Sequence, residues 1–253
     1  MILAIDIGNT NISAGCSNGR DIEFSEQIST NHKATSLEYA VLLKSILELH
    51  KVQNISGAVI SSVVPTLTET ISRAVEKIGL VTPLIVDSEI INLKTLEPSA
   101  NIGSDLLASA CALIKEYPLP AVVIDMGTAT TFAIVNSKEE FIGGMIMPGL
   151  KNSLDSLIQN TSLPKIRLEA PERLIGRNTS ECMKSGVIYG NASCIDGMID
   201  RIEHEIGKRI TAVATGSLSE FIVPYCRHQI LIDNELVLKG LFIIYNDNKK
   251  ILP

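Results

Sequence analysis

The chain has 253 residues, 45% of them hydrophobic and 20% charged, with a formal net charge of -6. That length can build one large α/β domain or two small ones with real cores, and the composition excludes disorder. The acidic balance, with no basic run, argues against a nucleic-acid partner, and no stretch reaches the roughly 18 uninterrupted apolar residues of a membrane span.

The chain opens on Ile2-Leu-Ala-Ile-Asp6-Ile-Gly-Asn-Thr-Asn11, which predicts a buried strand, a tight glycine turn and a returning strand over Ile12 to Gly15. Asp6 interrupts the apolar run and no basic residues precede it, so it is not a secretory signal. Apolar residues at helical spacing predict a helix over Ser36–His50, with Ser36 as its cap. A buried strand over Ile55–Val64 ends at Pro65, and a helix follows over Thr66–Ile78. Another helix is predicted over Ser104–Tyr117, just after Gly103. Ala121-Val-Val-Ile-Asp125-Met-Gly-Thr-Ala-Thr130 then repeats the opening pattern, with its returning strand over Thr131 to Val135. Residues 178–208 predict one long helix or a broken pair, and Ile210–Ala214 a strand running into Thr215-Gly216-Ser217. The likeness of the two openings suggests an internal duplication, with halves of 1–117 and 118–253 punctuated by Pro118 and Pro120. Strands alternating with helices imply a layered α/β fold. The five cysteines are scattered, without ligand spacing, which points to small buried hydrophobes in a reducing cytoplasm.

Three places carry candidate chemistry. In Asp6-Ile-Gly8-Asn9-Thr10-Asn11, Gly8 permits close backbone approach, and the Asn9 and Thr10 side chains with backbone N–H groups suit phosphate oxygens. A carboxylate is repelled by phosphate, so Asp6 would act through Mg²⁺ or its waters. The alternative is a plain hairpin turn. The second turn, Asp125-Met-Gly127-Thr128, repeats the device, and Gly216 follows the strand Ile210–Ala214. Neither the P-loop pattern nor GxGxxG occurs. The third place is Gly103-Ser104-Asp105-Leu106, where Asp105 is either a helix cap or a general base toward an attacking hydroxyl.

Two Asp-x-Gly turns in duplicated halves resemble the way the actin, sugar-kinase and chaperone-ATPase superfamily holds ATP. The resemblance implies duplicated ribonuclease-H-like halves with an ATP cleft between them. More specifically, Asp6-x-Gly-Asn-Thr-Asn11, Ile60-Ser-Ser-Val-Val-Pro65, Asp125-x-Gly-Thr-Ala-Thr-Thr131, Gly143-Gly-x-Ile-x-Pro-Gly149, Gly176-Arg-Asn-Thr179, Ser185-Gly-Val-Ile-Tyr-Gly190, Thr215-Gly216 and Leu238-x-Gly-Leu241 occur in that order. Across essentially the whole chain this resembles the type III pantothenate kinase family. The resemblance implies ATP-dependent phosphorylation of pantothenate, the first step toward coenzyme A, by a cytoplasmic homodimer using Mg²⁺ and a monovalent cation, K⁺ or NH₄⁺. It implies that residues 6–13 (Asp6, Ile7, Gly8, Asn9, Thr10, Asn11, Ile12 and Ser13) bind ATP together with Thr128 and Gly216. It further implies that Asp105 is the catalytic base and that Asp125 holds the monovalent cation. Pantothenate would meet Gly103, Ser104, Asp105, Leu106 and Thr179. The sequence departs from the family where Gly-x-Asp-Arg reads Gly-Ser-Asp-Leu106, and where Leu96 replaces an upstream Tyr. The departure leaves a second reading open: a family member with a different hydroxyl acceptor, or a non-catalytic nucleotide-binding regulator.

Overall fold

The structure, a computed structural model, describes residues 1–79, 81–96 and 102–249. In chain order it builds β1 (Ile2–Ile7), β2 (Asn11–Ser17), β3 (Ile22–Ser29), α1 (Ser36–Leu49), β4 (Gly57–Ser62), α2 (Pro65–Gly79), β5 (Leu84–Ile85), β6 (Lys94–Thr95) and α3 (Ser104–Glu116). Then come β7 (Ala121–Met126), β8 (Ala129–Val135), β9 (Glu140–Pro148), α4 (Leu150–Gln159), α5 (Thr179–Ile206), β10 (Thr211–Thr215), α6 (Ser219–Ile222), β11 (Ile230–Ile232) and α7 (Leu236–Asn248).

The chain divides into two compact units. One comprises Met1–Lys115 with the segment from Glu235 onward, and the other Glu116–Asn234. The sequence-based halves, 1–117 and 118–253, were contiguous; by contacts, α7 groups with the first unit instead. The last residues of that second half, 250–253, lie outside the described residues.

Both units use the same connectivity. In the first the strand order is β3-β2-β1-β4-β5. There β1, β2 and β3 pair antiparallel, while β4 and β5 join parallel. In the second, β9-β8-β7-β10-β11 repeats this pattern, with β8 and β9 antiparallel and β10 and β11 parallel. This is the duplicated ribonuclease-H-like fold of the actin-like ATPases.

Alternation along β1 sorts its side chains. Leu3, Ile5 and Ile7 pack with Tyr39 and Leu43 of α1 and Leu67 and Ile71 of α2. Ala4, on the other face, packs with Leu107 and Ala108 of α3 and Leu238 and Leu241 of α7. The helices can come close on that face because its residues are small. A Cβ on Gly240 of α7 would overlap the Ala108 carbonyl, and one on Gly57 would overlap the Tyr245 hydroxyl. In the second unit, Val122, Ile124, Met126 and Phe132 pack with Leu150 and Leu154 of α4 and Ile188, Ile195 and Ile199 of α5. Within residues 178–208 the chain forms one helix rather than a broken pair, α5 (Thr179–Ile206), capped by the Asn178 side chain and ended by Gly207 in the left-handed conformation. The cap of α1 is Thr35 rather than Ser36, because Thr35 completes a capping box with Glu38. Among the described residues no helix is long and apolar enough to cross a membrane.

Candidate active site

In the first unit, β1 and β2 pair as far as Ile7 and Ile12, leaving Gly8 to Asn11 as the turn. The Gly8 N–H donates to the Asn11 carbonyl at 3.0 Å. A Cβ on Gly8 would sit 2.8 Å from that same oxygen, so only glycine closes the turn this tightly. Ile7 and Ile12 are core residues that hold the hairpin down. Asn9 and Thr10 are exposed, while Asp6, Asn11 and Ser13 are half-buried.

The start of α3 is fastened next to this turn. Asp6 is in register with Ser61 of β4, and Ser61 hydrogen-bonds the Ser104 hydroxyl at 2.9 Å. The Ser62 N–H also donates to Ser104 Oγ, at 3.1 Å. Ser104 is thus a buried anchor for the helix. Asp105 follows it, half-buried, with Oδ1 accepting the Leu106 N–H at 2.8 Å. A Cβ on Gly103 would run into that same Oδ1. Burial pushes the Asp105 carboxyl above its ordinary value, and the Leu106 N–H pulls the other way. Asp6, Ser61 and Ser104 are therefore linked in sequence across β1, β4 and the start of α3, with Asp105 next to Ser104 in the chain. Ser61 and Ser62 escaped individual notice in the sequence, although the Ile60–Pro65 motif contains them. Leu106 is half-buried and Leu96 is 61% exposed.

The second unit assembles another cluster. β7 and β8 pair as far as Met126 and Thr130, so the turn is Gly127 to Ala129, one residue shorter than its counterpart. Thr128 is exposed at its tip. Asp125 is in register with Thr131 on one side and Thr215 on the other. Gly216 has φ 91°, and a Cβ there would overlap Asp125 Oδ1 and lie 2.8 Å from the Met126 backbone. The Thr131 hydroxyl is buried with no hydrogen-bond partner among the described residues. A carboxylate and an unsatisfied hydroxyl on adjacent strands are oxygen donors suited to a hard cation. Among the described residues no group of three or more acidic, His or Cys side chains forms a metal cage.

Thr179, exposed at the start of α5, lines a groove of about 560 Å³ with Met147, Leu157, Met183, Val187 and Gly190. Gly176 just before it packs on the α5 backbone, where a Cβ would lie 2.6 Å from the Glu181 carbonyl carbon. Cys182 and Cys194 are exposed along this helix, unlike the buried Cys16.

The duplicated fold, with an Asp-x-Gly turn in each unit, belongs to the actin-like ATPase fold class. The family profile described as type III pantothenate kinase matches residues 2–201. A type III pantothenate kinase from Finegoldia magna is 39% identical over 258 residues, covering 98% of each chain. Another, from Halalkalibacterium halodurans, is 36% identical over 254 residues, covering 98% of this chain and all of the relative. This chain belongs to the type III pantothenate kinase family. Solved structures share the fold at low identity. The activator of 2-hydroxyisocaproyl-CoA dehydratase from Clostridium difficile, with bound ADPNP, gives a TM-score of 0.58 at 12% identity, covering 98% of this chain and 94% of that one. Component A of (R)-2-hydroxyglutaryl-CoA dehydratase from Acidaminococcus fermentans gives 0.56 at 13%, covering 99% and 98%.

Proposed function

We propose that this protein transfers the γ-phosphoryl group of ATP to the hydroxyl of pantothenate, the first step of coenzyme A formation. Family membership over the full chain carries this reading. Phosphoryl transfer depends on positioning and charge neutralisation, with a base to take the hydroxyl proton. Asp105 is assigned that role. The start of its helix is tied through Ser104 to Ser61, the register partner of Asp6, which supports the reading, and burial makes its carboxylate a better proton acceptor than a solvated one. Residues 6–13 are assigned to the ATP phosphates, with further nucleotide contacts from Thr128 and Gly216. Gly103, Leu106 and Thr179 are assigned to pantothenate. Ser104 serves that site through its backbone, because its hydroxyl is engaged by Ser61 and Ser62.

Mg²⁺, when bound, would neutralise phosphate charge. The single carboxylate of Asp6 fits it, since Mg²⁺ keeps several waters and takes few protein ligands. Asp125 and Thr131 fit a monovalent cation, K⁺ or NH₄⁺. The reading includes a homodimer in the cytoplasm. The apolar groove along α5 and the exposed Ile146 (75%), Leu174 (61%) and Ile175 (81%) favour a covered face. A coupled ADP-release assay tests the activity. ADP should form only when both ATP and pantothenate are present, and ADP formation indifferent to pantothenate would overturn the reading.

A further inference from the structure

Three consecutive carbonyls of the first turn, those of Gly8, Asn9 and Thr10, are held by one short segment. The Gly8 carbonyl accepts from Thr30 Oγ1 at 2.7 Å, and the Thr10 carbonyl from the Thr30 N–H at 2.8 Å. Between them, the Asn9 carbonyl is met by His32 Nε2 at 3.2 Å, with the ring nitrogen donating. Thr30 to His32 follow directly on β3 and are themselves pinned. The Tyr39 phenol accepts the Asn31 N–H at 2.9 Å and donates to the Asn31 carbonyl at 3.0 Å. Tyr39 is only 2% exposed, so this pin is set in the core.

The geometry of a trans peptide gives the tie a consequence. Its C=O and N–H point to opposite sides. Drawing the carbonyls of Gly8, Asn9 and Thr10 to the strap turns the N–H edges of Asn9, Thr10 and Asn11 away from it. Successive N–H groups directed to one side make an anion-binding concavity. Simple satisfaction of the carbonyls does not require this arrangement, because Asn9 and Thr10 are exposed and water could serve.

The second unit makes the same kind of tie with different side chains. The Thr128 carbonyl accepts from the Gly149 N–H at 3.2 Å and from Asn152 Nδ2 at 2.8 Å. Gly149 follows directly on β9, which occupies in its sheet the place of β3 in the other. What recurs is the direction imposed on the turn carbonyl.

We propose that Thr30 and His32 are positioning residues for the nucleotide. They hold the carbonyl lone pairs away from the phosphates and present the N–H edge instead. The inference rests on reading residues 6–13 as the phosphate turn. Its test uses binding of the non-hydrolysable analogue adenylyl-imidodiphosphate, together with steady-state kinetics. Thr30→Val, which keeps the shape and removes the hydroxyl, should weaken analogue binding by about three- to tenfold. It should raise the KM for ATP alike and leave the KM for pantothenate unchanged. Thr30→Ser should restore both, and His32→Ala should weaken analogue binding in the same direction. A merely structural role would move both KM values together, and that result would overturn the proposal. The variant Gly8→Ala, whose Cβ would lie 2.8 Å from the Asn11 carbonyl oxygen and so reshape the turn backbone itself, separates the levels. If it weakens analogue binding while Thr30→Val does not, the strap is wrong and the phosphate turn stands. If neither weakens it, both are wrong.

Discussion

Gly103→Ala would move the Asp105 carboxylate while sparing the fold. The new methyl would lie against Asp105 Oδ1 well inside 3.0 Å, with Val63 Cγ1 at an ordinary 3.8 Å. Gly103 does not have a positive φ, so alanine is not strained there. Only the end of a side chain must give, by roughly 1 Å, to restore a van der Waals separation. Loosening the Leu106 N–H bond at 2.8 Å costs about 1 kcal/mol. Replacing glycine in a compatible conformation returns about 0.4–1 kcal/mol through the unfolded chain. The two nearly cancel, so the melting temperature should stay within about 4 °C of wild type. A 1 Å misplacement of a reacting group costs about 10²-fold in rate. Coupled ADP release should therefore show kcat down about a hundredfold, with affinity for adenylyl-imidodiphosphate unchanged. Turnover within about threefold of wild type at an unchanged melting temperature would show that the carboxylate's position is irrelevant, and the base role would fall.

Asp105→Asn should retain less than about a tenth of turnover, since general base catalysis is worth about 10²–10⁴, while analogue binding persists. Burial raises the folded carboxyl's pKa, so its stability contribution is present below the unfolded value and lost as pH rises through the raised folded value. Thermal melts of Asp105→Asn should accordingly exceed wild type near neutrality, with the gap closing at acid pH. Wild-type kcat should fall as pH drops through that same raised value, above the usual carboxylate range. Gly216→Ala meets both a φ of 91° and the Met126 backbone at 2.8 Å. Calorimetry should show it destabilised by about 2 kcal/mol or more, a fall of at least about 4 °C. Leu106→Arg supplies a charged donor beside Asp105 for the carboxylate and amides of pantothenate. Titration calorimetry with the ATP analogue present should show pantothenate bound about ten- to 150-fold more tightly; an unchanged, already tight wild type would show that another residue fills the role.

The duplicated core was legible because β1 and β7 are apolar runs ending in the same Asp-x-Gly signal. Their parallel neighbours, β4 and β10, were legible for similar reasons, since strands buried on both faces read as continuous apolar stretches. The third strands were not. In β3 only Phe24 is fully buried, and Glu23, Ser25 and Glu26 face solvent, so little alternation announces it. β9 carries Gly143 and Gly144 at its centre, which weakens any strand signal. α7 left only the motif Leu238-x-Gly-Leu241. Nothing local in a terminal helix says which sheet it covers; that was decided by Gly240 meeting the Ala108 carbonyl and Gly57 meeting Tyr245.

The site shows the same limit at the level of single side chains. Glycines at 8, 103, 149 and 216 are visible as letters, but their reasons lie elsewhere in the chain: the Asn11 carbonyl, the Asp105 carboxylate, the Thr128 carbonyl and the Asp125–Met126 segment. Sequence reasoning grouped Ser104 and Asp105 as two contacts to one substrate. Consecutive residues on a helix point about 100° apart, so the two side chains have different surroundings. Here the division is explicit. Ser104 turns inward to Ser61 and Ser62 at 2.9 and 3.1 Å and fixes where α3 begins. Asp105, one position on, turns its carboxylate to the Leu106 N–H instead, at 2.8 Å. Removing the Ser104 hydroxyl should then impair the enzyme through Asp105, because the anchor's contribution to function is the direction it gives to its neighbour.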